Sequence, residues 1–432
     1  MTRNGETRLR IVIAPAGSRG DVQPALVLAR TLSRRGHSVL MATHPEFGDW
    51  IEAHGIEFVA CGRNLQAVMR ENAAVVGRLW SAVRRFNRLI ADDIAEQGEV
   101  LTRVAPGAHV VLGASIQFIA GSVAEGLGMP YAHMVYCPQI LRSRHHPPAL
   151  FPWQTLPHWM NALGWRLFVG TYNRLLLPHV NRRRARLGLK PITDLFGKVT
   201  ESPILLACDA ELAPMPPDLP ARCRQIPYLA DDDPAPLPEG IRSFLATGAA
   251  PVFVGFGSMP AADPAGTTRI IVEATRRAKV RVLLSAGWAG LGEGGLPDHC
   301  CVVGDVAHGA LFQHVRAVVH HGGAGTTATA ARAGVPQVVV PHLLDQFYWA
   351  DRVARLGLGP APLRVGSLTA ERLARALARC LDDRTMISRA REMAAEVQSH
   401  RAPEAAADWV EAVANAHGAV SERMRAAMLG AP

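Results

Sequence analysis

The chain has 432 residues, 49% of them hydrophobic and 19% charged, a globular composition too long for one ordinary core, so two domains are expected. Its 46 basic and 37 acidic residues leave a net charge of +9, which suits anionic partners such as nucleotides. No zinc-finger spacing, RNA-binding sheet motif or alternation of aromatic and basic residues accompanies that charge, so no nucleic-acid partner is expected.

Ile11 to Ala14 is a short apolar run of the kind that forms a parallel strand buried on both faces. Gly17-Ser18-Arg19-Gly20-Asp21 turns the chain, and Val22 to Arg35 has helical spacing, with Leu26, Ala29 and Leu32 on one side. Gly36 stops that helix and Ser38 to Thr43 reads as the next strand. This βαβ opening predicts a doubly wound sheet. The turn is not G-x-G-x-x-G, and a dinucleotide reading would need Glu46 to hold a ribose.

Further on, Val110 to Leu112 and Tyr131 to Tyr136 read as strands around a helix, Ile116 to Leu127. Leu141 to Leu177 differs from its surroundings, with His145, His146, Trp153, Trp159, Trp165 and Phe168. Early prolines followed by aromatics predict a loop and then an amphipathic helix. Core packing and a binding pocket both fit it, and with Arg182-Arg183-Arg184-Arg186 a membrane surface does too. The His145-His146 pair lacks a third ligand, so no metal is expected there.

Ile204 to Ala207 is a last strand of the first half, and the proline-rich stretch after it reads as a linker. The expected division is a first Rossmann-like domain over 1–212, a linker over 213–239, a second Rossmann-like domain over 240–395, and C-terminal helices over 396–432. Seven scattered cysteines without a CxxC pair predict reduced thiols and a cytoplasmic protein. No apolar run approaches the roughly 20 residues that cross a bilayer. Membrane contact, if any, is expected to be peripheral.

The stretch that organises the chain is Val318 to Arg355. A strand ends in His320-His321, glycines follow at 322, 323 and 325, then Thr326-Thr327 and an alanine-rich helix. Strand, glycine turn and helix together present free N–H groups and a helix dipole to an anion. A second strand leads to Asp345-Gln346, polar groups placed to hold sugar hydroxyls beside phosphates. An ordinary βαβ unit with a tight turn is the plain alternative.

This pattern resembles the donor-binding signature of family 1 nucleotide-sugar glycosyltransferases, whose fold is two Rossmann-like domains facing a cleft (GT-B). The opening GSRGDVQP and ATHPEFGDWIEAHGIEF, with QFYWADRVARLGLGPAPL near the end, resembles sterol glucosyltransferases and enzymes that decorate antibiotics and macrolides. The resemblance is strong at both ends and faint between Arg63 and Ala250.

The resemblance implies Asp21 as the base that deprotonates the acceptor; a helix-capping role also fits its position. It implies a donor-diphosphate site of Ser18, Ser258, His321, Gly323, Ala324, Gly325 and Thr326. Asp345 and Gln346 bond the donor sugar, or else cap and flank a helix. The aromatic that stacks on the base in many relatives is missing, so Val306 and Trp288 are the nucleobase candidates, and a core role suits Trp288 equally. His145, Trp153 and Trp159 are candidates for an acceptor pocket. No Asp-x-Asp clamp with apolar flanks is present, so metal-independent transfer is expected.

The expected function is an inverting transfer of a hexose, glucose from UDP-glucose first, to a hydroxyl of a sterol, polyketide, macrolide or other hydrophobic small molecule. The alternatives are a dTDP-deoxysugar or rhamnosyl transferase and a non-catalytic nucleotide-sugar-binding partner. A UDP- or dTDP-sugar enters as co-substrate, with no bound cofactor.

Overall fold

The computed structural model describes residues 8–72, 79–231, 236–259, 261, 263–288, 290–292, 294–304, 306–397 and 401–428, with backbone only over 69–72, 79–90 and 417–428. Residues 232–235 of the expected linker lie outside them.

Two parallel sheets carry the chain. The first is built from β1 (Arg10–Ala16), β2 (Ser38–Thr43), β3 (Glu57–Ala60), β4 (Val110–Ser115), β5 (Tyr131–Val135), β6 (Ile204–Ala207) and β7 (Cys223–Ile226). Its order is β3-β2-β1-β4-β5-β6-β7. The second holds β8 (Val252–Gly255), β9 (Val282–Ser285), β10 (Cys300–Val303), β11 (Val318–His320) and β12 (Gln337–Val339), in the order β10-β9-β8-β11-β12. Each sheet therefore reverses direction between its first and fourth strands, β1 and β4 in one, β8 and β11 in the other. Ligands of doubly wound sheets bind at such switch points, outside the strand C-termini.

The central strands are continuous apolar runs because helices cover both faces. Ile11, Val12, Ile13 and Ala14 are all fully buried. The proline-rich stretch behaves differently from the expectation. Within 213–239, Cys223–Ile226 pairs in parallel with Ile204–Ala207 as the edge strand of the first sheet. Prolines are tolerated there because they flank the strand, and an edge strand needs only one row of ladder bonds.

The two domains share apolar surface. Cys137, Leu206 and Leu212 of the first pack in one cluster with Ala328, Tyr348, Trp349 and Met393 of the second. Arg332 Nη2 reaches Asp209 Oδ1 at 2.6 Å, and Arg352 Nε donates to the Leu212 carbonyl at 2.6 Å. After the second sheet come helices Ala370–Asp382, Arg384–Val397 and Ala402–Met428. The last returns to the first domain, where Ala406, Trp409 and Val410 join the core formed by Ile11, Leu28 and Leu32. Arg35 bonds Asp408 at 2.7 Å and His37 Nε2 meets Glu411 at 2.9 Å, which pins it. Among the described residues no helix is long and apolar enough to cross a membrane.

Candidate active site

One turn from each sheet contributes to the cleft. In the first domain β1 ends at Ala16, and Gly17 follows at φ +136°. A Cβ on Gly17 would collide with the Asp21 carboxylate, so glycine is what lets that side chain fold back under the turn. The Gly17 N–H donates to His44 Nε2 at 3.3 Å, and His44 Nδ1 lies 2.7 Å from the Arg63 carbonyl. Those two contacts place the ring proton on Nδ1.

Asp21 sits in the first turn of helix Arg19–Arg34. Its Oδ2 accepts from the Ser18 N–H at 2.7 Å and the Ser18 hydroxyl at 3.0 Å. Its Oδ1 accepts from the Ser115 hydroxyl at 2.5 Å, and its carbonyl accepts from Tyr136 Oη at 2.9 Å. Three of the roughly four lone-pair positions of the carboxylate are thus engaged. Burial raises the carboxyl above its ordinary range; bonds from Ser115 and Ser18 and the nearby His44 ring pull the other way.

The second domain's turn is built from histidines and glycines. His320 is fully buried, its Nε2 2.9 Å from Gln337 Oε1 and its Nδ1 accepting from the Gly322 N–H at 3.1 Å. It braces the turn. His321 points the other way. Its Nδ1 is buried and finds no hydrogen-bond partner among the described residues. Burial above all, with the fields of His320, His342 and His308, pushes its pKa down to about 3, so the imidazole is neutral at working pH.

Two glycines make room for that ring. A Cβ on Gly257, which sits at φ +58°, would lie 3.0 Å from His321 Cε1, and one on Gly323 would lie 2.5 Å from Nε2. Gly323 also begins helix Ala324–Arg332, whose first N–H groups receive no side-chain cap. A neutral imidazole and uncapped amides at a helix start form a donor set for an anion.

The third piece is the turn into helix Gln346–Arg355. Leu344 takes φ +57°, and Asp345 Oδ2 accepts from Trp349 Nε1 at 3.1 Å. Burial first, and then the Asp21 carboxylate, raise the Asp345 pKa to about 7. The two acids belong to different domains, so the effect of Asp21 on Asp345 links the two halves at this site. Tyr228 makes a second link. It feels the Asp21 charge, and its hydroxyl would lie 2.6 Å from a Cβ on Gly325.

Comparisons with known proteins give the family. Residues 11–145 match the glycosyltransferase family 28 N-terminal domain, and residues 288–413 match the erythromycin biosynthesis protein CIII-like C-terminal domain. The vancomycin aglycone glucosyltransferase of Amycolatopsis orientalis is 35% identical over 429 residues, covering 96% of this chain and 100% of that one. The chain belongs to the glycosyltransferases. Sterol 3-beta-glucosyltransferase UGT80B1 of Arabidopsis thaliana is 32% identical over 85% of this glycosyltransferase and 62% of its own length. The crystal structure of the glycosyltransferase VinC, in complex with dTDP, superposes with a TM-score of 0.67 at 21% identity, covering 94% of this chain and 100% of that one. That likeness gives the GT-B fold.

The other expected positions fall as follows. The Ser18 hydroxyl faces Asp21. Ser258 follows Gly257 in the turn beside His321. Ala324 packs against the core of the first domain and the cluster the two domains share, and Thr326 is half-buried on the first turn of its helix. Gln346 is buried and turned into its own loop. Its Oε1 accepts from the His342 and Leu343 N–H groups at 2.8 and 3.0 Å, and its Nε2 lies 3.2 Å from Met259 Sδ. Trp288 is half-buried, its backbone N–H bonded to the Gly257 carbonyl at 3.0 Å, while Val306 packs on the cluster of Val303 and Phe312. His145 is exposed and stacks edge-on to His158, and Trp153 and Trp159 are 63% and 68% exposed. The loop that carries His145 and Trp153 meets the second domain where the Leu150 N–H approaches the Leu344 carbonyl at 3.5 Å, and Trp159 stands on the helix His158–Arg186 that follows.

Gly17, His44, Ser115 and Tyr136 escaped the residue reading. His44 lies inside the ATHPEF motif and Gly17 directly follows the first strand, so both had a local signal. Ser115 and Tyr136 reach Asp21 only through the fold.

Proposed function

We propose that this glycosyltransferase moves a hexose, glucose from UDP-glucose first, to a hydroxyl of a hydrophobic small molecule such as a sterol, polyketide or macrolide, with inversion and without metal. Asp21 takes the proton from the acceptor hydroxyl, whose oxygen bonds to the anomeric carbon as the bond to the diphosphate breaks. His321, the N–H groups near Gly323, Ala324, Gly325 and Thr326, and Ser258 stabilise the departing charge. Asp345 and the Gln346 side-chain N–H that does not face Met259 bond the sugar, and Val306 and Trp288 flank the nucleobase.

The observation that carries this reading is the Asp21 carboxylate, held by Ser18 and Ser115 at the switch point of the first sheet, together with the uncapped helix start and unpartnered His321 Nδ1 at the corresponding turn of the second. A carboxylate stripped of water is a stronger base toward an alcohol. The donor set around His321 supports transfer without a cation. The exposed Trp153 and Trp159 support an apolar acceptor and peripheral contact with a membrane that holds it; seven free thiols support a cytoplasmic location.

The likeness to VinC bound to dTDP favours a second reading, a dTDP-deoxysugar donor. Thermal shift against UDP- and dTDP-sugars, then mass gain on sterol and macrolide acceptors, separates the two. Turnover that disappears in EDTA and returns with magnesium contradicts metal independence. Donor binding with neither transfer nor hydrolysis would turn the protein into a binding partner.

A further inference from the structure

Ser115 stands at the C-terminal end of β4, beside the switch point of the first sheet, in a conformation that side chains seldom adopt. Its φ is +59°, inside the left-handed region. It is buried at 6% exposure and donates its hydroxyl to Asp21 Oδ1. Strain of this sort persists only where the surroundings impose it. Here the imposing group is visible. His133 on β5 is buried, with Nε2 3.0 Å from the Ser115 carbonyl and Nδ1 2.7 Å from Tyr131 Oη.

Because Nε2 faces a carbonyl, it carries the ring proton, and Nδ1 accepts from the tyrosine hydroxyl. Burial pushes the His133 pKa down to about 4, which keeps the ring neutral and this tautomer in place. Gly113 on β4 makes the room. A Cβ there would collide with Tyr131 Oη and lie 3.1 Å from His133 Nδ1. An ordered chain therefore runs Tyr131, His133, Ser115, Asp21, from the sheet interior to the cleft.

We infer that Ser115 is a positioning residue for Asp21, fixed from behind by His133 and Tyr131. The inference rests on Asp21 being the base. The Ser18 contacts anchor only Oδ2, so without Ser115 the other oxygen is unheld. The bond from Ser115 holds Oδ1 and, with the Ser18 contacts on Oδ2, leaves one direction open for the acceptor hydroxyl. The same bond favours the anion, offsetting part of the burial that raises Asp21.

The test uses glycine, because Ser115→Gly accepts the left-handed backbone while removing the hydroxymethyl group and with it the bond to Asp21. Turnover should fall about tenfold, less than the hundredfold expected for loss of the base itself. Donor KM should not change. The acid limb of the kcat profile should move to higher pH, because a bond that favours the carboxylate is gone. The other titratable groups around Asp21, namely His44, Tyr136, Tyr228 and Asp345, are untouched by the change. Ser115→Asn tolerates the left-handed region and restores a donor, so it should recover part of the loss. In the background of Asp21→Asn, Ser115→Gly should cost little more.

A Ser115→Gly enzyme with the parent turnover and acid limb overturns the inference. So does a loss of turnover with the acid limb unmoved, which is a structural effect only. Parent-level turnover in Asp21→Asn instead overturns the assignment of the base, and is distinguishable because it needs no change at Ser115.

Discussion

The turns after β1 and after β11 have the same plan, strand, glycine and helix, and opposite chemistry. The first is closed on itself. Ser18, Ser115 and Tyr136 all converge on one acid, which also serves the Ser18 N–H at the helix start. The second is open. Its helix starts at a glycine with no side-chain cap, and the imidazole beside it has a buried nitrogen with no partner among the described residues. A base must be held in one orientation before the acceptor arrives. A leaving-group site must keep its donors for the charge that develops on the diphosphate. On the proposed reading, the same supersecondary unit serves both needs according to whether its helix start is filled.

That contrast breaks most sharply at Asp21. Asp21→Asn should lower kcat by about a hundredfold while calorimetry finds donor affinity unchanged. Equal losses in kcat and donor affinity would mean that the first turn also holds the donor.

Replacing the paired glycines should sort the two turns by readout, with effects of about tenfold. Gly17→Ala displaces the Asp21 carboxylate and should lower kcat. Gly323→Ala crowds His321 and should raise donor Kd. His321→Ala should match Gly323→Ala in kind, and since that ring is neutral down to about pH 3 its contribution should not vary between mild acid and neutrality. A kcat-only effect from Gly323→Ala would erase the distinction.

The smallest effect concerns Asp345, whose carboxyl is raised to about 7 by burial and then by Asp21. Its ionised form accepts more from sugar hydroxyls, so donor KM should rise a few-fold as pH falls below about 7. Asp345→Asn should flatten that dependence. The free protein should respond in the opposite sense. From the ordinary carboxyl value of 3.8 up to about 7 the folded state holds a proton that the unfolded chain releases, so this group's contribution to stability falls as pH rises through that window. Melting temperatures at pH 5 and pH 8 should lie closer together in Asp345→Asn than in the parent.

Much of this was legible in the chain. The apolar run from Ile11 to Ala14, the glycine turns and the apolar run into His320-His321 each report their structure locally, because buried parallel strands and helix starts leave short-range signals. β7 was hidden. It has four residues between prolines, at a sheet edge, with an arginine and a glutamine in its middle. Gln346 reads as a group free to meet sugar, yet its carbonyl is bonded to the turn just before it. Ser115 was invisible because its meaning depends on a partner 94 residues earlier and on a backbone angle no neighbouring residue announces.

The path of Ala402–Met428 bears on how this enzyme could be recombined with a relative. Trp409 and Val410 come from the far end of the chain, yet they sit in the wall around Leu28 and Leu32. Cutting between the domains and grafting on another enzyme's donor half would bring a foreign wall with it. A hybrid should fold better if its final helix comes from the same parent as its first strand, which makes three segments, not two, the natural units of exchange.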